Sequence, residues 1–206
     1  MMPDQKFGPL ISFADVEQGL LEHIEEWIDA WLAARERKVG ITPGTIARPR
    51  SYITKQTFTT LPGEEQTPCV IVVSDGFTEN SERHGDSSHD IYLRMGVAAI
   101  VQGSESKQAR ELAGHYQVAL LGLLLKKRTV MGGRAVMNEW RDMRMDDLDE
   151  EAVGRSLSAV RLELSYCVRD FVNEYGGPEV VPSVPYDPQP DFPFVETHEE
   201  IVEVKS

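Results

Sequence analysis

The sequence predicts an α+β fold: a mainly antiparallel β-sheet with two main helices packed on one face. Two long stretches space their apolar residues three and four apart, and several shorter runs alternate or stay continuously apolar. The strand-like runs outnumber the helical ones and some connections are short, which favours segregated helices on an antiparallel sheet. The bulk composition, 41% apolar and 27% charged over 206 residues, suits one folded domain. That domain spans residues 1–175, and residues 176–206 form an extended arm.

Between Phe13 and Arg35 the apolar residues Phe13, Val16, Leu20, Ile24, Trp27, Ile28 and Trp31 form one stripe of an amphipathic helix. Ser12 is placed to cap it with Asp15 three residues on, and Arg35, Arg37 and Lys38 before Gly40 form a stop. Ile41–Pro49, with two prolines and a glycine, reads as a loop. Ser51–Thr59 is a strand candidate with a polar face, broken at Leu61-Pro62-Gly63. Cys69–Val73 is continuously apolar, as expected of a strand covered on both faces. Ser74–Asp90 reads as a polar loop.

Ile91, Leu93, Met95, Val97, Ala99 and Val101 alternate and give a strand with one buried side. Ser104 then caps a long helix over Glu105–Lys127. Its stripe is Ala109, Leu112, Ala113, Tyr116, Ala119, Leu120, Leu123 and Leu124, with basic residues at its C-terminal end. Met131-Gly132-Gly133 turns the chain into a strand over Arg134–Met145, followed by an acidic loop at Asp146–Gly154. Leu157–Phe171 alternates most clearly: Val160, Leu162, Leu164, Tyr166 and Val168 on the core side, Arg161, Glu163, Ser165 and Arg169 on the other.

The arm holds six of the twelve prolines and seven acids against one lysine, so almost half of the net charge of −13 lies in it. Such a segment buries little and stays extended until something receives it. Its last stretch, Phe194–Val204, has enough β-branched residues to add a strand to another chain's sheet edge.

The acidic balance argues against wrapping nucleic acid, which needs clustered Lys and Arg, and against an anionic membrane surface. It suits docking on a basic partner, or lining a passage through which DNA slides. No signal peptide is read at Met1–Leu10, and no run approaches the roughly 18 apolar residues of a membrane span. Cytoplasmic production is expected. Cys69 and Cys167, each inside an apolar run, read as buried thiols.

Chemistry-bearing patterns are sparse. His84-Gly85-Asp86-Ser87-Ser88-His89-Asp90 has metal-ligand residue types, but two histidines on a loop do not make a held set of three or four ligands. Ser74-Asp75-Gly76 lacks the flanking glycines of a nucleophile elbow, and neither phosphate-loop pattern occurs. The run Asp146, Asp147, Asp149, Glu150 and Glu151 lacks the spacing of a calcium loop. His115 reads as packed at the core edge, His23 as exposed, and Trp27 and Trp31 as core. No cofactor, metal or catalytic set is expected.

The order of elements resembles that of the tail terminator proteins of long-tailed bacteriophages, over roughly residues 10–175. A helix at Phe13–Arg35 precedes a hairpin-like pair (Ser51–Thr59 with Cys69–Ser74), then a strand running into a long helix, then two more strands. The segments that carry the resemblance are SHDIYLRMGVAAIVQGSESKQARELAGHYQVALLGLLL and SLSAVRLELSYCVRDF. The arm exceeds the compact family pattern. The resemblance implies a virion subunit of a homohexameric ring, assembled in the host bacterial cytoplasm. Such a ring closes the tail tube on one side and meets head-completion (connector) proteins on the other, while DNA passes without specific binding. On this reading the ring interface draws on Tyr52, Thr54, Gln56 and Phe58 of the polar edge, and on Glu196, Glu199, Glu200, Ile201 and Val202 of the arm. The alternatives are another neck protein that joins head to tail, and a small cytoplasmic α+β enzyme or ligand-binding module. The best polar set for the last is His84, Asp86, His89 and Asp90.

Overall fold

The computed structural model describes residues 11–54, 62–77, 82–85, 88–148 and 156–173. Helix α1, Phe13–Val39, begins at a reciprocal cap: the Asp15 N–H donates to Ser12 Oγ, and the Ser12 N–H donates to the Asp15 carboxylate at 2.7 Å. It ends at Gly40, whose φ of 73° is a left-handed conformation open to glycine at little cost. Leu20, Ile24, Ile28 and Leu32 are fully buried, and the same phase carries Glu36 inside. Phe13 is 37% exposed and stands edge-on against Phe77 at 4.9 Å between ring centres. Trp27 and Trp31 are half-buried against the core.

The strands are β1 Ser51–Thr54, β2 Cys69–Phe77, β3 Glu82–Arg83, β4 Ser88–Gly103, β5 Thr129–Val130, β6 Ala135–Leu148 and β7 Ser156–Asn173. Helix α2, Ser106–Lys126, lies between β4 and β5. The sheet runs in the order β1-β2-β4-β7-β6-β5, with β3 beside β4. Every pair is antiparallel except β1 with β2. The fold class is therefore α+β, as the sequence predicts.

That parallel pair corrects the hairpin expected there. The chain re-enters the sheet at Cys69, level with the start of β1. The Arg50 N–H donates to the Pro68 carbonyl at 2.7 Å, and Ser51 lies beside Cys69. A return of a dozen or more residues gives a parallel neighbour where a two-residue turn gives a hairpin.

Other boundaries differ for related reasons. The polar stretch 74–90 is no simple loop: β2 continues through Ser74, Asp75 and Gly76 to Phe77, β3 follows, and β4 starts at Ser88. Asp146, Asp147 and Leu148 likewise belong to β6, pairing with Ala159, Ser158 and Leu157. Polar residues extend strands here because these positions are partly or wholly exposed. Ser104 is not the cap of α2. Glu105 holds that position without a side-chain cap bond, and Ser104 N–H and Oγ both reach Gln108 Oε1, at 2.6 and 2.7 Å.

The main core lies between the helices and one sheet face. It joins the α1 stripe, Tyr116, Leu120, Leu123 and Leu124 of α2, the β4 face from Ile91 to Val101, and Val160, Leu162, Leu164, Tyr166 and Val168 of β7. Cys69, Ile71, Ile100 and Ala159 form a second, smaller cluster, and β2 is buried from Cys69 through Val73. The helices meet closely, since a Cβ on Gly122 would lie 2.6 Å from the Trp31 ring. The turn Met131-Gly132-Gly133 has positive φ at all three residues, which explains the glycine pair.

Candidate functional site

Among the described residues the sheet ends in two unlike edges. β1, described over Ser51–Thr54, forms one and carries Tyr52 and Thr54 of the expected interface. Tyr52 is half-buried against the core, and burial pushes its hydroxyl up to about 12, so it stays a neutral donor. Thr54 is exposed. Gln56, Phe58 and the arm residues Glu196, Glu199, Glu200, Ile201 and Val202 lie outside the described residues.

The other edge is formed by β5 and β6. β5 covers β6 only at Ala135 and Val136, and the Met137 N–H donates to the Arg128 carbonyl at 2.7 Å. Beyond Met137 no described strand flanks β6 on that side, up to Leu148. Two irregularities in its pairing with β7, at Met137/Glu139 and Trp140/Asp142, interrupt the ladder. Trp140 is 48% exposed between them. Arg141 pairs with Glu139 at 2.8 Å, Arg144 with Asp142, and Arg110 of α2 with Asp147. Charges and bulges of this kind keep a strand edge from pairing indiscriminately.

A third feature was not foreseen. A groove of about 740 Å³ runs between the end of α1, the loop at 41–46 and the first half of α2, walled by Val39, Ile41, Leu112 and Val118 with Arg35 and His115. Its loop wall is held from beneath by Glu36. That carboxylate accepts from Gly44 N–H at 3.0 Å, Ile46 N–H at 2.8 Å and both Arg48 terminal nitrogens, at 3.2 and 2.9 Å. The Arg48 guanidinium and the two backbone donors hold Glu36 down at about 2 although burial opposes ionisation. Tyr116 adds a tie by donating to the Ala47 carbonyl at 2.7 Å. The available signal was phase: Ile28, Leu32 and Glu36 are four residues apart on one helix.

The histidines divide. Arg35 Nε donates to His115 Nδ1 at 3.4 Å, and burial with this neighbour lowers the His115 pKa. His23 is half-buried rather than exposed, 3.2 Å from the Lys127 carbonyl, because the α2 terminus folds over α1. Lys127 also sits over the Trp27 ring, 2.9 Å from its centre. In the polar set, His84 Nε2 meets Asp90 at 3.2 Å, and Asp90 is 3.6 Å from Cys167 Sγ. Burial first, then Asp90, pushes the Cys167 thiol up to about 11. Asp86 lies outside the described residues, and among those described no three His, Cys, Asp or Glu side chains converge to hold a metal. No described helix is long and apolar enough to cross a membrane.

No family model matches the chain, and no curated protein matches it.

Proposed function

We propose that this protein is a structural subunit of a virion, a ring-forming protein like the tail terminators its element order resembles. Copies join through their sheet edges, cap the tail tube, and present the opposite side of the ring to head-completion proteins. The observation that carries this reading is the pair of unlike edges: β1 at one side, and at the other β6, without a described flanking strand from Glu139 to Leu148. Two different edges on one subunit suit a head-to-tail contact, which closes into a ring when the rotation permits. The net charge of −13 supports a channel that DNA crosses without adhering.

Light scattering with negative-stain imaging, on the protein alone and with purified tail tubes, tests the reading. Closed rings, or caps on tube ends, are expected. A chain that stays monomeric and leaves tube ends bare overturns it.

A further inference from the structure

We infer that the groove between α1, the loop at 41–46 and α2 is the receiving site for the acidic, proline-rich arm, residues 177–204, of a neighbouring copy. The neighbour as donor rests on the ring reading; the match between groove and arm does not.

Charge is the first argument. Arg35 lines the groove, and Arg37 and Lys38 follow it at the end of α1, in a chain whose net charge is −13. Glu36 is already satisfied by Arg48 and two backbone N–H groups, so it adds little repulsion at the surface. Among the described lining residues Arg35 is the one cation and Glu111 the one acid, so the excess positive charge lies beside the groove at Arg37 and Lys38. Residues 177–204 bring seven acids and no lysine or arginine. Opposite patches of this kind speed encounter and set orientation.

Shape and apolar content are the second. Val39 and Val118, 38% and 47% exposed, sit on the two sides of the groove. Phe192, Phe194 and Val195 give the arm apolar anchors, and its prolines restrict the free chain, so less freedom is lost on docking. The loop wall is held by Glu36 and Tyr116, so the receiving side is already formed.

Topology supplies the direction. In the β4–β7 ladder, Ser88 pairs with Asn173 at one end and Gly103 with Ser156 at the other. At ~3.3 Å per residue the ladder is about 50 Å long. α2 leaves from the Gly103 end, which places the groove toward it, whereas the arm follows Asn173 at the far end. From Asn173 to Phe194 an extended chain covers about 65 Å at ~3.1 Å per residue. Donor and receiver at opposite ends of one subunit suit a repeating head-to-tail order, and cross-linking between two chains separates it from an arm that folds back on its own groove.

The test uses full-length chains. One preparation carries Val118→Cys and a second carries Phe194→Cys, while the native Cys69 and Cys167 are buried. The two are mixed and oxidised mildly. A disulfide-linked pair of chains should form in the mixture and not in either preparation alone. Adding Arg35→Glu and Lys38→Glu to the Val118→Cys chain should slow linkage about tenfold, the scale of two reversed exposed charges, whereas Arg35→Lys should preserve the rate. A link formed only within a double variant, or no link in either arrangement, overturns the inference. Light scattering on the same samples reports ring formation separately: rings without cross-links sink this inference alone, and cross-links without rings sink the ring.

Discussion

The loop anchored beneath the helical layer and the β6 side of the sheet use the same chemistry to opposite effect. At Glu36 a carboxylate is fully buried and meets an arginine and two backbone donors, fixing a loop. On β6, Glu139, Asp142 and Asp147 also meet arginines, but at partly exposed positions where water competes and salt screens. An ion pair thus shapes the chain where it replaces water for several polar groups at once. Where it decorates an edge, it governs what may pair there.

The widest break in this contrast comes from the core both regions share. Leu162→Asp places an unpartnered charge among fully buried residues, which costs several kcal/mol, on the order of the whole stability. Loss of soluble expression or of a cooperative melt is expected, and a normal melting curve would refute the core assignment. Next, Glu36→Gln should lower the melting temperature more than Asp142→Asn, by differential scanning fluorimetry. The folded pKa of Glu36, about 2, lies below its ordinary 4.5. Its ionised form therefore stabilises the fold fully above about 4.5, and that stabilisation fades as pH falls towards 2. Over this window the wild type should lose melting temperature faster than Glu36→Gln.

Trp140→Lys should change stability by no more than about 0.5 kcal/mol, because the ring is half in water. It should nevertheless impair assembly, since an edge lysine opposes strand addition. Unchanged assembly would remove β6 from the interface. The smallest effect is expected from Arg110→Ala, within about 0.5 kcal/mol, because its pair with Asp147 is exposed on both sides.

Much of the scaffold was legible because burial writes a period into the sequence. The α1 stripe, the alternation of β4 and β7 and the continuous run at Cys69–Val73 each correspond to a buried face. The ends of α1 were legible through Ser12, Asp15 and Gly40. Strand polarity was not: Ser51–Thr54 reads the same whether its neighbour is parallel or antiparallel, and the choice lies in the path of residues 55–68. Polar strand ends at Ser74–Phe77 and Asp146–Leu148 were hidden because exposed positions impose no apolar pattern. The groove was invisible for a further reason. It exists only where α1, a loop and α2 come together, and no local pattern encodes that meeting.

The three tryptophans fall in three surroundings. Trp31 presses on the bare backbone at Gly122, Trp27 lies under the Lys127 ammonium, and Trp140 stands on the open strand. The molecule therefore carries its own optical probes. Emission from Trp140 should respond to events at the strand edge while the other two report on the separation of the helices, so a quencher in solution can tell subunit joining from melting without any added label.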